Sequence, residues 1–176
     1  MKYYFDMDGT LCEFRTDAKP EDLYRDGYFR SLKEHPGVVA LLKLLVRSGR
    51  DVYVLSAVLG TKQETEKRAW LTDHGIVLPE SHLIFVPCGT NKANAVPFVG
   101  KETVLIDDHT PNLLDWKAAG GTGIKVLTGI NGKHGRWKGK AFQSETRFTA
   151  DGFCRFALED AFGDSMRVFH SVVPVS

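Results

Sequence analysis

Apolar and polar positions fall into blocks along the chain, and each block predicts an element. Lys2 to Asp6 (KYYFD) is a short β-prone run that stops at an acidic, glycine-containing turn, which reads as a strand. Residues 12–34 mix charges with aromatics and lack a long apolar period, so they predict a loop with one or two short helices. PGVVALLKLLVRSG then repeats apolar residues at three-to-four spacing, with Pro36 in the first turn and Gly49 past the end, as a helix does. DVYVLSA follows as a buried strand. Thr61–His74 reads as an amphipathic helix with Thr61 as its N-cap and Gly75 as its stop. SHLIFVP is a third strand, NKANAV a short helical turn, TVLIDD a fourth strand, Thr110–Ala119 a helix with proline near its start, and GIKVLT a fifth strand. Asp151–Phe162 reads as helical and Met166–Val173 as strand-like. Strands alternating with helices predict an α/β fold, a three-layer α/β/α Rossmann-like parallel sheet covered on both faces. The expected organisation is a core over residues 1–130, with a small cap insertion over 12–35 after the first strand, and a C-terminal extension over 131–176 packed on that core.

Composition narrows the roles open to such a fold. The chain has 176 residues, about one domain. Lysine and arginine number 23 against 22 acids, which argues against general polyanion binding by bulk charge; nucleic acid is not expected as a partner and any anion recognition must be local. No apolar run approaches the roughly 20 residues needed to cross a bilayer, so no membrane partner is expected. MKYYFDMDGT is interrupted by acids after five residues and does not read as a secretory signal, so a cytoplasmic protein is expected. Cys12, Cys88 and Cys154 stand far apart, and their odd number predicts buried reduced thiols. The basic stretch with Lys133, His134, Arg136, Trp137 and Lys138 reads as a solvated loop, with a contact to nucleic acid or to a distal phosphate as the alternative.

In open α/β sheets, ligands bind beyond the carboxyl ends of the strands. There the first strand delivers Asp6 and Asp8, the second Ser56, and the fourth Asp107 and Asp108; Lys92 follows the third. Crowded carboxylates repel one another, and a hard divalent cation is the usual remedy. Mg²⁺ favours oxygen ligands and keeps waters that a substrate phosphate can replace. Lysine and serine supply contacts suited to phosphate oxygens, so the set fits phosphoryl transfer. Gly9 lets the backbone turn sharply after Asp8, and Thr10 can hydrogen-bond locally.

DMDGT, then LSA, then a lone lysine, then IDDHTPN resemble, in order, the four motifs of the haloacid dehalogenase (HAD) superfamily of phosphatases, over residues 1–128. The resemblance implies Asp6 as the nucleophile that forms an aspartyl-phosphate and Asp8 as the acid/base. It implies Asp6, the main-chain carbonyl of Asp8, and Asp107 as holders of Mg²⁺, with Asp108 orienting Lys92 or a metal-bound water. Ser56 and Lys92, with the Gly9–Thr10 turn, would bind the transferring phosphate; Lys101 and Lys62 are alternatives to Lys92. Metal coordination removes the repulsion between a carboxylate nucleophile and an anionic ester. Asp8 stands two residues on and points to the same side of an extended segment, within reach of the leaving oxygen.

DMDGTLCEF, GYFRSLKEHPG, DVYVLSA and LIDDHTPNLLDW further resemble the 5'(3')-deoxyribonucleotidase branch, which implies a small phosphorylated substrate, a nucleotide. Phe14 and Phe29 are then candidates for a base-stacking pocket, although aromatics in a small cap also serve packing. Asp6 and Ser56 stand only 50 positions apart, so the cap must be smaller than in that branch. Sugar phosphates and nucleic-acid 3'-phosphate ends therefore stay open as substrates. From other classes, a phospho-accepting receiver and an idle partner-binding scaffold are the rivals; the order of the acidic strands counts against the receiver. His109 follows the metal acids and is a candidate to support them.

Overall fold

The computed structural model describes residues 1–131, 135–158 and 168–169. Seven strands form one sheet: β1 (Lys2–Phe5), β2 (Asp51–Val58), β3 (Leu83–Pro87), β4 (Thr103–Asp107), β5 (Thr122–Leu127), β6 (Lys140–Gln143) and β7 (Val168–Phe169). Their spatial order is β3-β2-β1-β4-β5-β6-β7, and every neighbouring pair is parallel. β1 is central. Tyr3, Tyr4 and Phe5 are all buried because both faces of that strand are covered, which is why the run reads as continuously apolar.

The helices are α1 (Pro36–Arg47), α2 (Thr61–Asp73), α3 (Thr110–Ala118) and α4 (Ala150–Leu158). Tyr3, Phe5, Val54 and Ile106 turn to the face covered by α1, α2 and α4; Tyr4, Leu55 and Leu105 turn to the face covered by α3. The expected three-layer parallel architecture is therefore present. No helix among the described residues is long and apolar enough to cross a membrane.

Local details depart from expectation. Thr61 is the first residue of α2 rather than its cap; Gly60 holds the cap position, and the Leu59 N–H donates to the Gln63 side chain. β6 adds a strand that the residue pattern does not reveal, and α4 packs against α1. The helix expected to run to Phe162 is described to Leu158, and of the expected 166–173 strand Val168–Phe169 is described; Glu159–Arg167 and His170–Val173 lie outside the described residues, as do Lys133 and His134. Trp137 is not a solvated loop residue. It is buried in the second core, its Nε1 donates to Lys140 O at 2.9 Å, and Gly123 lies so near its ring that a Cβ there would stand 2.7 Å from Cη2. Cys12 and Cys154 are buried, but Cys88 is exposed; all three are free thiols.

Residues 12–35 carry a 3₁₀ turn over Pro20–Tyr24 and are fastened to α2. Glu66 accepts from the Gly27 and Phe29 backbone N–H groups at 2.8 and 2.9 Å, Trp70 Nε1 donates to Leu32 O at 2.7 Å, and Arg30 pairs with Asp73 at 2.6 Å.

Candidate active site

The strand order reverses at β1: the chain runs β1-β2-β3 to one side and then places β4 on the other. The crevice beyond the ends of β1 and β4 is the topological switch point, where this architecture leaves room for a ligand. β1 ends at Phe5 in register with Ile106, which sets Asp6 beside Asp107.

The turn after β1 is built by its own backbone. Thr10 N and Cys12 N both donate to Met7 O at 3.0 Å, and Gly9 N donates to Cys12 O at 2.8 Å. Gly9 has φ +82°, the left-handed region that glycine enters without cost. A Cβ at this position would also stand 2.5 Å from Asp108 Cγ. Thr10 is buried, and its Oγ1 accepts from Asp108 N at 3.0 Å. The DGT turn thus clasps the end of β4. Gly9→Ala is expected to destabilise the protein by roughly 2 kcal/mol, from backbone strain together with the clash at Asp108. Thermal melting beside Gly49→Ala, a left-handed glycine with open space around it, separates the clash from the strain.

Two buried ammonium groups organise the acids. Lys92 follows β3 in a short 3₁₀ turn over Lys92–Asn94 and donates to Asp6 Oδ1 at 2.6 Å and to Asp107 Oδ2 at 2.7 Å. Burial opposes its charge, but Asp107 and Asp6 outweigh burial and hold its pKa above the ordinary lysine value. Asp107 is fully buried; its Oδ2 also accepts from Asn112 Nδ2 at 2.9 Å and its Oδ1 from His109 N at 2.7 Å. His109 therefore supports the acid through its backbone, while its side chain is exposed. Lys92 takes its orientation from Asp6 and Asp107; Asp108 is held instead by Thr10.

Residue by residue from the sequence, Lys67 was missed. It is 1% exposed on α2 and donates to Asp8 Oδ2 at 2.5 Å, Ser56 Oγ at 3.0 Å and Ala57 O at 2.6 Å. Its ammonium lies 5.2 Å from the Phe29 ring centre. The signal was available: Gln63, Lys67, Trp70 and Leu71 are the buried residues of α2, at the i, i+4, i+7, i+8 spacing of an inward stripe. A lysine on that stripe demands a buried acceptor. Of the alternatives to Lys92, Lys62 is half exposed and bonds Tyr24 O and Asp26 at 2.5 Å, and Lys101 is exposed. The two candidate pocket aromatics are not brought together. Phe29 is buried under α2, whereas Phe14 is 56% exposed in a separate cleft with Arg15 and Lys33.

Asp6, Asp107 and Asp108 each offer a carboxylate oxygen, and these oxygens lie within 4.8 Å of one another. Burial pushes Asp6 up to about 7, against the pull of Lys92 and with added push from Asp107 and Asp8. Burial, with Asp6 and Asp107 adding to it, pushes Asp108 up to about 8. Such a set of hard oxygen donors is short of positive charge, and a divalent cation of the Mg²⁺ type fits it.

No protein-family model and no curated protein matches the chain. Solved structures do. A HAD family hydrolase from Deinococcus radiodurans R1, solved with bound phosphate and sodium, is similar with a TM-score of 0.54 at 14% identity, over 97% of this chain and 90% of that one. The D,D-heptose 1,7-bisphosphate phosphatase from B. bronchiseptica, complexed with magnesium and phosphate, gives 0.52 at 14% identity over 96% and 92%. That from Burkholderia thailandensis gives 0.51 at 15% over 96% and 90%. The fold is the HAD-like Rossmann fold.

Proposed function

We propose that this chain is a Mg²⁺-dependent phosphomonoester hydrolase that forms an aspartyl-phosphate on Asp6 and acts on nucleoside monophosphates, as 5'(3')-deoxyribonucleotidases do. The observation that carries the reading is the pairing at one switch point of two acids with two different buried lysines, Asp6 with Lys92 and Asp8 with Lys67, beside the Asp6–Asp107–Asp108 oxygen cluster. Each acid has its own environment, which is how two chemically identical groups take separate roles.

Asp6, Asp107 and Asp108, with the Asp8 main-chain carbonyl, would hold Mg²⁺, which would supply charge to offset the repulsion between nucleophile and phosphate. Asp6 attacks phosphorus while Lys92 fixes its carboxylate. Ser56 and Lys67 bind the transferring phosphoryl oxygens, the ammonium offsetting charge that builds as the bond to the leaving group breaks. Asp8 gives its proton to the leaving oxygen and then takes one from the water that hydrolyses the aspartyl-phosphate. Gly9 and Thr10 hold Asp108 in place beside the turn that carries Asp8.

The nucleotide reading draws on the cleft beside Phe29, of about 210 Å³, where Leu23, Tyr24 and Leu59 supply apolar surface near the start of α2. The second reading, a sugar phosphate, draws on the two neighbours whose names specify heptose 1,7-bisphosphate. Phosphate release from 5'- and 3'-nucleotides of both sugars, sugar phosphates and a 3'-phosphorylated oligonucleotide, with Mg²⁺ and with EDTA, tests the choice. Metal-dependent release strongest on deoxynucleotides supports the nucleotidase reading; activity concentrated on sugar phosphates overturns it and keeps the mechanism.

Metal affinity has a direct consequence for stability. Asp6 and Asp108 carry pKa values raised above the ordinary carboxylate value, so the folded protein binds more protons than the unfolded chain between about pH 4 and 8. Their contribution to stability therefore falls as pH rises through that window in metal-free protein. Mg²⁺ competes with those protons. The expected result is a larger rise of Tm on adding Mg²⁺ at pH 8 than at pH 6, read by calorimetry; an equal shift at both pH values would remove these acids from the metal site.

A further inference from the structure

Another cleft shares Asp108 with the site, and its other lining residues take no part in the steps above. Its volume is about 440 Å³, and Asp108, His109, Thr110, Lys125, Asn131 and Arg136 are among the residues that line it. Lys125 comes from β5 and is only 7% exposed. Its Nζ donates to Thr110 Oγ1 at 2.8 Å, and among the described residues it has no ion pair and no other hydrogen-bond acceptor. Lys67 and Lys92, more deeply buried, each reach a carboxylate at 2.5–2.7 Å. A hydroxyl does not neutralise an ammonium, and Asp108 and Asp107 act on Lys125 only from beyond ion-pair distance, so the group keeps room for a closer anion.

The rest of the cleft points the same way. Arg136 stands exposed at the rim and forms no ion pair among the described residues. Asn131 is spent on the backbone, donating to Val126 O at 2.8 Å and accepting from Thr128 N at 2.9 Å, so it shapes the wall. α3 begins at Thr110, and His109 lies exposed at its start. Asp108 closes the inner end with a carboxylate, so an anion belongs at the Lys125–Arg136 side.

We propose that this cleft binds a second phosphate of the substrate, so that the preferred ester carries a phosphate or phosphodiester group in addition to the one hydrolysed. The inference rests on the phosphatase reading of Asp6 and narrows its substrate: an ester with a second phosphate is preferred over a plain nucleoside monophosphate. Two sources share this chemistry: a small bisphosphate, and the penultimate phosphodiester of a 3'-phosphorylated oligonucleotide. Lysine gives the buried contact as a point charge, and arginine the outer, two-pronged one.

The test compares adenosine 3',5'-bisphosphate with adenosine 5'-monophosphate, and a 3'-phosphorylated trinucleotide with adenosine 3'-monophosphate, using p-nitrophenyl phosphate as the one-phosphate control. Arg136→Glu and Lys125→Met should raise KM for the two-phosphate substrates by about tenfold or more while leaving kcat and the control substrate unchanged. A rise confined to the adenosine bisphosphate names the small-molecule source, and one confined to the trinucleotide names the polynucleotide end. Equal changes on one- and two-phosphate substrates, or none, overturn the subsite. Arg136 is exposed, so its variant carries the test even if Lys125→Met folds poorly. Calorimetry on the Asp6→Asn background keeps the two readings apart. If the wild type hydrolyses no phosphomonoester, the phosphatase reading falls, and the subsite then stands only if adenosine 3',5'-bisphosphate binds Asp6→Asn about tenfold more tightly than the same protein carrying Arg136→Glu.

Discussion

Asp6→Asn is expected to lower phosphate release by at least about a thousandfold, because the amide cannot form the acyl-phosphate and no other carboxylate among the described residues is placed to replace it. Asp107 is committed to Lys92, Asn112 and the His109 backbone. Asp8 is held by Lys67. Asp108 sits against Gly9 and Thr10. The substitution is nearly isosteric and leaves Lys92 its bond to Asp107, so the fold is expected to survive. It also removes an acid that burial has pushed up to about 7, so melting in the absence of metal should not fall. Steady-state kinetics and a thermal melt on the same preparation check both halves. Lost activity with a collapsed melt would assign Asp6 to structure instead.

The second large effect belongs to Lys67. Lys67→Met keeps the aliphatic stem against Phe29 but removes the only ammonium that touches both Asp8 and Ser56 among the described residues. Turnover is expected to drop by about a hundredfold, the usual scale for one group aimed at developing transition-state charge. The loss should be greater for alkyl phosphates, whose leaving oxygen needs the Asp8 proton, than for p-nitrophenyl phosphate, whose leaving group departs without it. Comparable losses on both ester types would reduce Lys67 to a phosphate contact, and unchanged turnover would remove it from the site.

Much of this arrangement was legible in the residues. β1 and β4 are apolar runs ended by acids, and a strand end in a parallel sheet is where polar groups become useful, so Asp6, Asp8 and Asp107 could be placed before any coordinates. Lys92 could be placed after the third strand, with Lys101 and Lys62 left open as alternatives. What stayed hidden depended on partners distant in sequence. Lys67 looks like any charge on a polar helix, and only its phase with Trp70 and Leu71 betrays burial. Trp137 sits in a glycine-rich basic stretch, and Gly123, which makes room for its ring, lies on another strand. β6 is four residues long, too short for a period to show. Thr61 matched the residue preference for a helix cap, but the helix begins at Thr61 and Gly60 holds the cap position without a side-chain bond. Phe14 and Phe29 share a segment, yet the clasp of Glu66 on Gly27 and Phe29 turns one inward and leaves the other at the surface.

The covalent intermediate is the central claim, and it can be trapped. In Asp8→Asn the first transfer to a good leaving group can still proceed, while the group that activates water for the second step is gone. The decisive measurement is mass spectrometry of Asp8→Asn quenched in acid after incubation with p-nitrophenyl phosphate and Mg²⁺. A phosphate adduct on the peptide containing Asp6, absent with EDTA and absent in the Asp6→Asn, Asp8→Asn double variant, is the result expected here. An adduct on another residue, or metal-dependent hydrolysis that persists without Asp6, would contradict it.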